Sequence, residues 1–213
     1  MIRYILSLII LIHGLVHLMG FSKAFGYGNI TQITSDISKP MGLFWLVASM
    51  AFTLSAVYLL LNKDNWWGLS LIAAIISQLI IFYVWKDANY ASIINIIILI
   101  AIIVGYANWS FAKKYKSEIA IGLKHSGANN DSLLTEKDIS HLPEPIKKYI
   151  RYTGSLNNFL VNNFSVEFSG HIREKQGKWM PFTSTQYNFV NASTCLFFMK
   201  AVMKHLPVKG FHC

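Results

Sequence analysis

Charge is scarce in this chain, and the shortage is uneven. Lys, Arg, Asp and Glu make up 14% of its 213 residues, against about 25% in an ordinary soluble domain. Residues 1–112 carry only Arg3, Lys23, Lys39, Lys63 and Lys86 against Asp36, Asp64 and Asp87. That shortage argues against an ordinary soluble fold for this half. Cysteine is almost absent: Cys195 and Cys213 fit no CxxC or zinc spacing, and two cysteines alone establish neither a disulfide nor a compartment. G-x-S-x-G, H-E-x-x-H and P-loop patterns are all missing, so the matching hydrolase and nucleotide chemistries have no support. No catalytic residue is named, no cofactor is expected, and the reading leans away from an enzyme. The net charge is +9, but no basic stripe or nucleic-acid motif accompanies it, so nucleic acid is set aside as a partner.

What is present is apolar length. The chain is 54% hydrophobic, with mean hydropathy +0.41. Four blocks hold no charged residue: Tyr4–Ser22, Pro40–Asn62, Asn65–Trp85 and Ala88–Ala112. At about 1.5 Å per residue, each can cross about 30 Å of hydrocarbon as a helix. The chain therefore reads as a membrane α-helical bundle of four spans over 4–22, 40–62, 65–85 and 88–112. A polar tail starts at Lys113. The first block could also be a signal peptide. It lacks an A-x-A-like cleavage site and is longer than a usual apolar core, so a retained helix is expected.

Short polar turns separate the later blocks, which forces antiparallel neighbours. Pro40 suits a first helical position, where its missing N–H is not needed. Trp66, Trp67 and Trp85 flank the third block and read as aromatic belts at the two interfaces. Four spans put both termini on one side, with Arg3, Lys63, Lys113, Lys114 and Lys116; Lys23, Lys39 and Lys86 lie opposite. The positive-inside rule then places both termini in the cytoplasm of a multi-pass protein. The bilayer is the expected partner, with a homo-oligomer as a further one.

Few polar side chains interrupt the spans. His13 and His17 sit four apart and so share one helix face. A histidine pair at this spacing is a metal-ligand candidate, the basis of a metal or redox alternative. The spans contain no third His, no Cys and no acid to complete such a site, which favours a buried hydrogen-bonding stripe instead. Gln78 and Asn95 are the intramembrane polar residues expected to meet it. A small transporter subunit is the remaining alternative, weakened by the lack of any carboxylate in the spans.

The tail reads as a basic exit and linker over 113–140, with Gly127–Ser132 flexible. A short helix follows over the Leu142–Gly154 segment, started by Pro145 and stopped by Gly154. Its Lys147, Lys148 and Arg151 face either solvent or anionic lipid. From Phe164 the period changes to two, and an antiparallel meander runs to residue 213. Pro181 argues for an edge or a bulge. The tail is expected to be a small α+β domain over 141–213, rich in aromatics: Phe164, Phe168, Trp179, Phe182, Tyr187, Phe189, Phe197 and Phe198. No strand or helix in the tail is available to cover its apolar face, so the domain reads as incomplete.

Four segments carry a resemblance. They are Ile12–Phe21, Ile37–Trp45, Leu142–Gly154 and Trp179–Tyr187. Together they resemble an uncharacterised bacterial family in which a four-helix membrane part precedes a soluble domain. The resemblance implies no activity and no site residues. It implies a soluble domain that continues past the equivalent of Leu206, hence a truncated chain here. The expected function is a bacterial inner-membrane protein anchoring a β domain that binds a lipid-like ligand or a partner.

Overall fold

The structure is a computed structural model that describes residues 2–126, 132–203 and 206–212. The flexible segment expected at 127–132 lies outside the described residues except for Ser132, and Cys213 lies outside them too. The chain divides into two compact units, one running to Ser110 and the other starting at Phe111.

The first unit is helical. Its elements are α1 (Ile2–Val16), α2 (Leu18–Phe25), α3 (Lys39–Leu60), α4 (Trp66–Tyr83), the single turn α5 (Trp85–Ala88), and the start of α6 (Ala91–His125). Four helical stretches are long and apolar enough to cross a membrane: 2–25, 39–60, 66–83 and 91–125. The boundaries follow local chemistry. Ser38 caps α3 by accepting the Met41 N–H at 3.4 Å, and Pro40 sits in its first turn. The helix stops where Asn62 turns left-handed at φ 58°. The Lys63 N–H then bonds the Tyr58 carbonyl and the Asn62 N–H the Leu59 carbonyl, so the last turn keeps its acceptors occupied.

Three corrections concern the helices. The first span is not one helix but two, broken at His17. Trp66 is not a belt residue: it is buried in a core with Ile10, Phe52, Ala56, Leu59, Ile98 and Ile102. Trp67 packs instead with Tyr106 and Trp109, at ring centroids 5.0 and 5.3 Å. Finally, the segment expected to be an exit and linker from 113 stays helical as far as His125. Lysine, glutamate, alanine and leucine are good helix formers, no proline interrupts the stretch, and its one glycine, Gly122, lies close to the C-terminal end of the helix.

The second unit holds the rest of α6, α7 (Glu144–Tyr152) and four strands: β1 (Asn163–Ile172), β2 (Met180–Phe189), β3 (Thr194–Met203) and β4 (Leu206–His212). The sheet order is β1-β2-β3-β4, with β1–β2 and β2–β3 antiparallel. Helix α7 ends at Gly154, whose φ of 70° suits glycine. Its basic face is largely neutralised: Arg151 donates to Glu136 at 2.9 Å and to Glu144 at 3.1 Å. Pro181 lies on a central strand, not at an edge or bulge. It pairs with His171 of β1 and precedes the β3 register, which begins at Phe182, so its missing N–H costs no β2–β3 bond.

Register decides which side of the sheet is covered. Tyr187 and Phe189 of β2 share a face with Leu196 and Phe198 of β3. Tyr115 and Ile119 of α6 pack on that face, together with Phe211. Tyr115 stacks on Phe198 at 4.9 Å and its hydroxyl donates to the Thr185 carbonyl at 3.1 Å. The expectation that no helix covers the sheet is therefore overturned: the supposed linker is the covering helix. The other face carries Phe164, Phe168, Phe182 and Phe197, of which Phe164 and Phe168 are 46% and 45% exposed.

Candidate functional site

The helical unit turns its polar side chains inward. Ser7, His13, His17, Ser49, Ser55, Ser70, Ser77 and Asn95 are all buried. The outward positions of the same helices carry Ile72, Ile75, Leu79, Ile96 and Ile100. Buried polar groups need partners, because desolvation without one costs more than a net hydrogen bond returns. The partners are found across helices. Ser7 donates to the Ala56 carbonyl at 3.0 Å, and Ser55 donates to the Trp66 carbonyl at 3.1 Å.

The largest of these groupings joins α1, α4 and α6. Four residues of spacing bring His13 and His17 to one face, with ring centroids 4.9 Å apart. His13 Nε2 lies 3.0 Å from Asn95 Oδ1. That oxygen only accepts, so His13 Nε2 is the donor. His17 Nδ1 lies 2.9 Å from the His13 carbonyl, which also only accepts, so Nδ1 carries the proton there. His17 Nε2 then takes the Ser77 hydroxyl proton at 3.0 Å. Asn95 Nδ2 donates to Ser77 Oγ and to Gln78 Oε1, both at 3.1 Å. Gln78 Nε2 donates to Ser92 Oγ at 3.1 Å. This one ordering gives every donor named here an acceptor.

The same residues explain the break between α1 and α2. The His17 N–H bonds the Gly14 carbonyl at 3.2 Å, one residue short of the α-helical partner. The His13 carbonyl thereby loses its usual donor, and the His17 ring replaces it. The ring is held from other sides by Phe52 and Trp45, at 5.6 and 5.4 Å.

Sequence reasoning named four of the six side chains. The structure joins His13 directly to Asn95, and reaches Gln78 only through Asn95. Ser77 and Ser92 were missed. Serine is common on apolar helices, and nothing in the sequence marks Ser77 apart from Ser49, Ser55 or Ser70. Its position one residue before Gln78, on the face that meets α1, is a tertiary fact. Among the described residues no three His, Cys, Asp or Glu gather in metal-binding geometry.

The second unit has a cleft of about 380 Å³ between the end of α6 and the β2–β3 turn. Ile121, Phe189 and Leu196 give it an apolar floor. Gly122 makes the floor possible: a Cβ there would lie 2.3 Å from the Phe189 ring.

Comparison with known proteins reaches only part of the chain. The family model described as DUF6544, a family of unknown function, matches residues 132–213. No curated protein matches the chain, and no solved structure does. Residues 132–213, which hold α7 and the four strands, therefore match an uncharacterised domain.

Proposed function

We propose that this chain is a non-enzymatic, multi-pass protein of a bacterial inner membrane, whose helical unit anchors a β unit that binds a lipid-like ligand. The observation that carries the membrane assignment is inverted polarity. Four apolar helices face outward with isoleucine, leucine and phenylalanine, while their histidine, serine and asparagine side chains are buried within the apolar core. In water such an exterior would be an aggregation surface; in hydrocarbon it is the favoured one. The polar cluster then holds the helices together, as interhelical hydrogen bonds do in membranes. The ligand reading is supported by the apolar-floored cleft and by the exposed Phe164 and Phe168.

A metal or redox role for His13 and His17 is less favoured. Both Nε2 atoms already bond Ser77 or Asn95, and metal binding would break the network that pins the helix break.

The excess of basic residues on the side of Lys113, Lys114 and Lys116 supports a cytoplasmic reading for both termini. Cys195 is an exposed thiol and gives a direct test. In bacterial cells expressing a Cys213→Ser variant, a membrane-impermeant maleimide should label Cys195 only after permeabilisation, and the protein should sediment with membranes. Labelling in cells with only the outer membrane opened would overturn the orientation. Recovery in the soluble fraction without detergent would overturn the membrane assignment.

A further inference from the structure

From the lining of the cleft beside α6 we infer that it is a binding site for a small amphipathic amine. This rests on the ligand-binding reading above and names the chemical class. Glu118 and His125 are seven residues apart on α6, two turns along one face, so they mark positions about 10 Å apart on the cleft wall. Glu118 is half-buried and makes no ion pair among the described residues. A carboxylate that has lost part of its water favours a cation nearby.

The other polar groups point to the same ligand. His125 Nδ1 donates to the Ile121 carbonyl at 2.8 Å, which leaves its Nε2 facing the cleft side of the helix without a bond of its own among the described residues. Asn191 Nδ2 donates to Asn162 Oδ1 at 3.4 Å, so the Asn191 carbonyl oxygen remains to accept. The Ser126 and Thr194 hydroxyls spend their protons on the Gly122 and Ala192 carbonyls. Among the described residues of the rim, the side-chain donors left are the Asn162 amide and the second N–H of Asn191, beside the Glu118 carboxylate and the Asn191 carbonyl oxygen as acceptors. A ligand that brings N–H donors and positive charge completes this set. An apolar body of one ring would lie on Phe189 and Leu196, both almost fully buried beneath the cleft.

The test uses three soluble probes with one body and different heads: 2-phenylethylammonium, 2-phenylethanol and 3-phenylpropionate. Binding to the full chain in nanodiscs is read by saturation-transfer NMR and calorimetry. The ammonium should bind most tightly and the carboxylate least. Glu118→Gln should weaken the ammonium about tenfold, the scale of one charge-assisted hydrogen bond, while leaving the alcohol unchanged. Gly122→Leu, which places a side chain against Phe189, should weaken all three. Circular dichroism unchanged in Glu118→Gln would show that the loss is local. Equal binding of the three heads, or an ammonium affinity indifferent to Glu118→Gln, would overturn the amine assignment. No binding by any probe would overturn it too. Binding of a fluorescent fatty acid in that case would preserve the broader ligand reading, and its failure as well would remove both.

Discussion

Asn95→Leu should be the most damaging isosteric change in the helical unit. Its side chain joins three others: His13 at 3.0 Å, Ser77 at 3.1 Å and Gln78 at 3.1 Å. Interhelical hydrogen bonds in membranes contribute about 0.6 kcal/mol each on average and reach about 1.7 kcal/mol. Three of them place the loss at about 2 kcal/mol, a shift of about thirtyfold in the folding equilibrium. Leucine has a similar volume, so cavity formation adds little. The substitution also strands a buried His13 donor, which pushes the cost upward. Ser92→Ala removes one half-buried bond at the edge of the same group and should cost about 0.6 kcal/mol. The assay is reversible unfolding in mixed micelles. The coupling between His13→Phe and Asn95→Leu, from the double-mutant cycle, should be about 0.6 kcal/mol or more. A neutral or stabilising Asn95→Leu, or an absence of coupling in the pair, would refute the role of the network in holding the helices together.

Two further outcomes follow from other parts of the fold. Asp87 accepts from the Thr34 hydroxyl at 2.7 Å, the Ser35 N–H at 3.0 Å and the Ser35 hydroxyl at 2.8 Å. These bonds hold its carboxyl below the ordinary carboxylate value. A depressed native value means the contribution is complete above the ordinary value near 3.8 and is lost as pH falls below it. Amide exchange at Ser35, corrected for the intrinsic pH dependence, should therefore quicken from neutral pH to pH values below that point. Asp87→Asn should exchange quickly throughout, and a protection factor flat with pH would refute the tie. In the second unit, Tyr115 is 7% exposed and stacks on Phe198. Tyr115→Phe should cost about 1 kcal/mol for one hydrogen bond. Tyr115→Ala should cost about 3–5 kcal/mol, as aromatic truncations in cores do. Thermal unfolding followed by near-ultraviolet circular dichroism reads both, and equal losses would refute the stacking role.

Helix existence was legible because charge cannot be hidden in a long apolar helix. The absence of Lys, Arg, Asp and Glu over four blocks marks the four apolar helical stretches, and a two-residue period marks β1 and β2. Helix ends were legible where a special residue sits, as at Pro40 and Gly154. The break at His17 was not, because histidine carries no breaker signal. It arises from a carbonyl exchanging its backbone donor for a ring nitrogen, while α3 and α4 hold that ring. The extension of α6 past Lys113 was hidden by a change in composition that read as a boundary. Charged residues suit a helix whose exposed side meets water, and Tyr115, Ile119 and Gly122 lie on its packed side.

For the candidate sites, two histidines four apart on an apolar helix sufficed to place a polar stripe, since helical periodicity is local. Ser77 and the cleft beside Phe189 depended on which distant side chains met across helices and strands. Composition and period, both local, had already determined the apolar helices, the sheet and the stripe. The tertiary structure alone decided that Ser77 completes the histidine network and that Glu118, His125 and Asn191 face one cleft. Those facts depend on contacts between residues far apart in the chain, and no local pattern encodes them.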